Sequence, residues 1–250
     1  MAGHSKWANI KHKKQKEDKI RGRVFGKLTR EIIVAAKHGG GDIDSNFRLR
    51  VAVDRARQAN MPMDNIERAI KRGTGELEGA NYEEFSYEGY GPAGVAILMS
   101  IATDNRNRTA SDLRHILDKH GGNLGETGCV SWMFTQKGEL ALDVAGIDED
   151  ELMLQAIEAG AEDVEVDEEE VCIYTEPGEL QKVQEILEGL GYTFSRAENT
   201  MVPSTYVQLS RQDAERVLKL MDVLEDHDDV QEVFANFDIP EEIMEEISLS

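Results

Sequence analysis

No stretch of this chain approaches the roughly 18 consecutive apolar residues that suggest a membrane-spanning helix. The N-terminus has no apolar core of a secretory leader. Cysteine is scarce: Cys129 and Cys172 are the two in 250 residues, and they lie far apart. That excludes a disulfide framework and the paired spacing of zinc or redox motifs, and leaves two small buried residues. The six histidines, His4, His12, His38, His115, His120 and His227, form no HExxH pair and sit beside no cysteine at zinc spacing. A GxSxG nucleophile elbow is missing. The glycine runs His38–Asp42 and His120–Gly125 fit neither GxxxxGK[ST] nor a strand-borne GxGxxG, so they read as helix stops. The acidic runs Glu168–Glu170 and Asp226–Asp229 lack EF-hand spacing and read as solvated faces. These absences predict no catalytic residue, no metal site and no cofactor, in a cytoplasmic protein that is not an enzyme.

What the chain has in abundance is charge, unevenly placed. The net charge is −21. Residues 1–72 carry 18 Lys+Arg against 8 Asp+Glu, a net +10; residues 73–250 carry 10 against 41, a net −31. Asymmetry of this kind points to a nucleic-acid or other anionic partner for the cationic part. The acidic remainder repels phosphate and confines such binding to one end.

The basic end has two parts. Lys6, Lys11, Lys13, Lys14 and Lys16 crowd an arm that also holds Trp7, a residue able to stack on an exposed base. From Asp18 to Lys37, Ile20, Val24, Leu28 and Ile32 recur every four residues and predict a helix. Lys19, Arg23, Lys27, Arg30 and Lys37 fall on a separate arc, giving a basic stripe beside an apolar face. A second helix is expected from an N-cap at Asp44 or Ser45 to about Ala59, with Arg48 and Arg55 flanking its apolar strip. A third begins near Pro62, a residue suited to a first turn.

After residue 79 the period shortens. Strands are expected at Glu83–Tyr90, Val95–Ile101, Cys129–Phe134 and Glu139–Val144. Further strands are marked by Val164 and Val166, by Val171 to Thr175, by Tyr192 and Phe194, by Tyr206 to Leu209, and by Val230 to Ala235. Helices fit Arg106–His120, Glu149–Ala159, Glu179–Leu190 and Gln212–Leu224. Residues 136–200 therefore read β-α-β-β-α-β, the ferredoxin-like order. The strand–helix–strand on either side gives a second such case. The fold class is α+β: a three-helix domain with its basic arm (1–79), then two ferredoxin-like domains. The third (136–204) is inserted into the second (80–135 plus 205–240). In Asp104-Asn105-Arg106-Asn107-Arg108-Thr109 a strand ends and a helix begins. Free N–H groups, the helix dipole, Arg106 and Arg108 there suit an anion, unless the motif is only an N-cap with solvated arginines.

Several stretches together resemble one family. They are Ala2-Gly3-His4-Ser5-Lys6-Trp7, His38-Gly39-Gly40-Gly41-Asp42, Tyr87-Glu88-Gly89-Tyr90-Gly91-Pro92, Asp104 to Thr109, Gly121-Gly122-Asn123-Leu124-Gly125, Val202-Pro203-Ser204-Thr205, and Leu224-Glu225-Asp226 through Val230-Gln231-Glu232-Val233. The chain is similar over nearly its whole length to the YebC family, which includes a mitochondrial translational activator of cytochrome oxidase subunit I. Phe47 and Cys129 depart from the usual pattern. The resemblance implies three domains, a cytoplasmic location and DNA-binding transcription regulation. Similar proteins are linked instead to the ribosome and to easing its stalls. The expected partner is thus nucleic acid, DNA or ribosomal RNA, with the ribosome as a further candidate and no membrane. The residues expected to touch it are Lys6, Trp7, Lys11, Lys13, Lys14, Lys16, Lys19, Arg23, Lys27, Arg30, Arg48, Arg55, Arg106 and Arg108.

Overall fold

The computed structural model describes residues 21–79, 81–167 and 170–248. In chain order these form α1 (Arg21–Gly39), α2 (Phe47–Gln58), α3 (Met63–Gly73), β1 (Glu83–Tyr90), β2 (Ala96–Thr103), α4 (Arg106–Lys119) and β3 (Asn123–Leu124). Next come β4 (Phe134–Asp143), α5 (Glu149–Ala159), β5 (Asp163–Val166), β6 (Glu170–Thr175), α6 (Leu180–Gly189) and β7 (Arg196–Pro203). The chain continues through β8 (Val207–Gln208), α7 (Arg211–Glu225), β9 (Val230–Ala235), β10 (Phe237–Asp238) and α8 (Glu241–Ser248). Two compact units result: Trp132–Tyr206 is one, and the described residues before and after it form the other. No helix among the described residues is long and apolar enough to cross a membrane.

In the larger unit, α1, α2 and α3 share a core of Leu28, Ile32, Leu49, Val53, Ile66 and Ala69. The four-residue recurrence of apolar side chains along α1 makes one face of it the wall of that core. The glycine run ends α1. Gly40 takes φ +85°, and its N–H donates to the Ala36 carbonyl at 2.9 Å. Asn46, not Asp44 or Ser45, caps α2. Its Oδ1 accepts from the Leu49 N–H at 3.1 Å, while Nδ2 donates to the carbonyls of Ala35 and Gly40 at 2.9 and 2.8 Å. Only a carboxamide can accept and donate twice at once, which is why the cap falls there. At Gly73, α3 meets α1 backbone to backbone: an added Cβ would lie 2.5 Å from the Ile33 oxygen.

The same unit holds a four-stranded antiparallel sheet in the order β3-β1-β2-β9. β2 is central and reads Ala-Ile-Leu-Met-Ser-Ile-Ala-Thr, buried at every position but Ser100. Such a continuous apolar run suits a strand covered on both faces. Residues far apart in sequence thus share one sheet, since β9 pairs with β2 from Ile97↔Ala235 to Ile101↔Val230.

Two of the expected strands differ here. Residues 129–130 form a bend and Ser131–Met133 a 3-10 helix. The cause is Glu88, a buried carboxylate on β1. It accepts from the N–H groups of Gly128, Val130 and Ser131 at 2.7, 2.7 and 2.8 Å, which removes them from any ladder. Burial pushes the Glu88 carboxyl up, but these bonds outweigh it and hold the group below its ordinary value. β8, expected at Tyr206–Leu209, does not join the main sheet; it pairs in parallel with β10. The place beside β2 is already filled by β1, supplied by the hairpin at Gly91–Val95. The closing helix α8 has no counterpart in the sequence reading.

The smaller unit is an antiparallel sheet in the order β5-β6-β4-β7. On one face Leu140, Leu142, Val171 and Ile173 pack against Leu152, Ala156, Val183 and Leu187 of α5 and α6. On the other, Arg196 lies 2.7 Å from Glu139 and 3.2 Å from Glu170, next to Cys172 and Tyr174. Burial pushes both the Cys172 thiol and the Tyr174 phenol up, so both stay neutral. Cys129, by contrast, is only half-buried. Tyr192 and Phe194 pack on the helix-side core as expected of strand residues, but from a loop; the strand itself starts at Arg196.

Replacing Asn46 with Ala removes the α2 cap and two bonds to α1. The variant is expected to lose about 1–3 kcal/mol in urea unfolding. Asn46→Asp, which keeps the acceptor alone, is expected to recover part of that loss. Equal stability of Asn46→Ala and the parent protein would contradict the assigned role.

Candidate nucleic-acid interface

Lys6, Trp7, Lys11, Lys13, Lys14, Lys16 and Lys19 lie outside the described residues. The other seven expected contact residues all lie in the larger unit, and each already bonds to an oxygen of this chain. Arg23 sits 2.7 Å from Asp226. Lys27 Nζ donates to the Glu225 carbonyl, and Arg30 Nη1 to that of Asp228. Arg30 also lies 3.8 Å from the Asp229 carboxylate and over the Tyr82 ring at 5.6 Å. Arg23, Lys27 and Arg30 of the α1 stripe are therefore paired within the chain; they form the seam by which the helical region meets the acidic end of α7 and the turn into β9. Lysine and arginine at the last carbonyls of a helix also suit its dipole.

The α2 arginines follow suit. Arg48 makes two bonds to Glu84, and Arg55 lies 3.2 Å from Glu31 and 3.8 Å from Glu232.

The motif Asp104 to Thr109 is consumed in the same way. Asn105 caps α4, its Oδ1 accepting from the Arg108 N–H at 3.1 Å. Arg106 spans the Phe85 ring at 4.1 Å and reaches Glu83 at 2.7 Å. Arg108 Nη2 donates to Asp229 at 2.7 Å and to Asp104 at 3.0 Å. Asp229 is buried, and its Oδ2 also accepts from Thr109 Oγ1 at 2.8 Å and Thr103 Oγ1 at 3.2 Å. Burial pushes the Asp229 carboxyl up. The bonds from Arg108 and Thr109 outweigh burial and hold it below its ordinary value. An internal carboxylate thus takes the position an external anion would need.

Cations that the sequence reading passed over lie elsewhere. Arg68, Lys71 and Arg72 of α3 are exposed, at i, i+3 and i+4, on the side of the helix opposite Ile66 and Ala69. Among the described residues no ion pair involves them. Their spacing is visible in the sequence, but they are fewer than the cations of the arm and the α1 stripe. In the smaller unit Trp132 is 71% exposed on its 3-10 turn. Nothing in its sequence context separated it from a strand residue. No group of three or more His, Cys, Asp or Glu among the described residues could hold a metal ion.

Helical region, sheets and charge distribution define an α+β protein with cationic helices and a strongly acidic remainder. The chain belongs to the TACO1/YebC family. Residues 5–76 match the family's N-terminal domain, and residues 82–237 match its second and third domain. It is 60% identical over 251 residues to a "probable transcriptional regulatory protein" of Halothermothrix orenii, covering 99% of each chain. A protein of the same description from Dictyoglomus turgidum is 55% identical, over 99% of this chain and 100% of its own. A crystal structure of a conserved hypothetical protein from Aquifex aeolicus matches with a TM-score of 0.82 and 53% identity, covering 91% of this chain and 94% of that one.

The Asp229 cluster carries a pH signature. Its carboxyl titrates below the ordinary value of 3.8, so the charged form is the one the fold holds. Its stabilisation is fully present above about pH 4 and fades as pH falls through the depressed value. Asp229→Asn is expected to cost about 1–3 kcal/mol at neutral pH and to lose less on acidification than the parent protein. Parallel pH–stability curves would count against the cluster.

Proposed function

We propose that this protein is a non-enzymatic, nucleic-acid-binding regulator of gene expression that acts in the cytoplasm. The observation that carries the reading is the outward face of α3. Three neighbouring cations there form no ion pair among the described residues and outnumber the two carboxylates of the same helix, Asp64 and Glu67, in the most basic part of an otherwise acidic chain. Phosphate contact needs cations that are not already neutralised. The arm residues Lys6, Lys11, Lys13, Lys14, Lys16 and Lys19 would supply further phosphate contacts, with Trp7 as a stacking group. Arg23, Lys27, Arg30, Arg48, Arg55, Arg106 and Arg108 would have to exchange internal oxygens for phosphate, and they contribute less. The relatives' description as transcriptional regulatory proteins supports DNA as the partner.

The alternative is a ribosome-associated translation factor that binds ribosomal RNA and relieves stalled translation. One observation favours it: residues 132–206 carry 19 carboxylates against three cations, a net −16. Such a body suits docking by one end better than wrapping a duplex. The same reading takes both sheets as ferredoxin-like, with 136–204 inserted between 80–135 and 205–240. The order β5-β6-β4-β7 supports this for the inserted domain.

Binding measured against salt, with duplex DNA and with ribosomal RNA, tests both. Arg68→Glu, Lys71→Glu and Arg72→Glu together are expected to reduce the log K against log salt slope by about 2–3. An unchanged slope on both nucleic acids would remove α3 from the interface. The preferred nucleic acid at moderate salt separates the two readings.

A further inference from the structure

The helix layer of the smaller unit carries exposed apolar side chains with no function so far. Met153, Leu154 and Ile157 project from α5, and Ile186 and Leu190 from the end of α6; Leu154 is 68% exposed, Leu190 55% and Ile157 51%. None belongs to the helix-side core, which takes Leu152, Ala156 and Ala159 from α5 and Leu180, Val183 and Leu187 from α6. The two helices run antiparallel on one face of the sheet. Tyr192, just past α6, feels the charges of Asp148 and Glu151 at the start of α5. Gly160, at the other end of α5, approaches Val183 near the start of α6. The five side chains therefore all project from one two-helix layer, away from its core. Exposed large apolar residues gathered in this way mark an interaction site more often than scattered ones.

The rim decides what can cover it. Residues 148–160 and 179–190 hold eight carboxylates, Asp148, Glu149, Asp150, Glu151, Glu158, Glu179, Glu185 and Glu188, against one cation, Lys182. Lys182 is itself bonded to Glu179 at 2.6 Å. Glutamines hold three of the acids in place: Gln155 on Glu151, Gln181 on Glu185 and Gln184 on Glu188. A second copy of this chain would bring two such rims together, and nucleic acid or an anionic lipid surface would meet the same repulsion.

We infer that α5 and α6 form a docking face for a cationic amphipathic helix of a protein partner. The partner's apolar stripe would lie across Leu154, Ile157 and Leu190, and its lysines or arginines would meet the flanking carboxylates. This places a protein contact on the acidic unit, separate from the nucleic-acid contact proposed for the basic end and not dependent on it.

The test uses the full chain and a synthetic 18-residue leucine–lysine peptide with helical amphipathic order, followed by fluorescence anisotropy. A peptide of the same composition in scrambled order is the control. The ordered peptide is expected to bind at least about tenfold more tightly than the scrambled one. Leu154→Ser with Ile157→Ser, and independently Ile186→Ser with Leu190→Ser, are each expected to abolish that preference. Equal binding of the two peptides, or a preference that survives both variants, would overturn the proposal, leaving only nonspecific attraction to acid. Sedimentation velocity supplies the remaining outcome: a dimer lost in the same variants would make a second copy the occupant and overturn it as well.

Discussion

The stretch from Glu225 to Glu232 is what joins the helical region to the sheet behind it. Its oxygens receive Arg23, Lys27, Arg30 and Arg55 from the helices and Arg108 from the start of α4. The contributions are unequal. The Arg23–Asp226 pair is more than half exposed on both sides and is worth little. Asp229 is different: it is buried and has three donors, so losing one leaves the others with a charge to satisfy and no water to do it. α1 is thus amphipathic in a particular sense. One face builds the three-helix core, and the other is matched to oxygens of the same chain.

That match redistributes the charge available to a partner. By sequence the basic end reads as one continuous cationic surface. In the fold, Arg23, Lys27 and Arg30 of α1 and Arg48 and Arg55 of α2 are answered internally, and α3 turns its cations outward. The smaller unit, meanwhile, concentrates carboxylates, whose charge repels phosphate.

Much of the fold was legible because the patterns were strong. The four-residue recurrence located α1, the alternation in Glu83–Tyr90 located β1, and α5 and β9 fell at the expected bounds. What failed was decided by a residue distant in sequence. Residues 129–133 have the composition of a strand, but Glu88, some 40 positions earlier, takes their N–H groups. Asn46 caps α2 because the end of α1 offers it two carbonyls, which no local pattern reveals. The site was less legible than the fold for the same reason. A cation's availability depends on the carboxylate folded against it, and Asp229 lies 121 residues from Arg108.

The most direct measurement is the salt dependence of nucleic-acid binding, taken with the melting temperature, for the double variant Lys27→Gln, Arg30→Gln. These two residues are basic, lie on α1 and bond to the carbonyls of Glu225 and Asp228. If the stripe serves the fold, the melting temperature falls and the log K against log salt slope stays that of the parent protein. A slope lower by about 2 at an unchanged melting temperature would mean that the stripe faces phosphate instead, and would contradict the account.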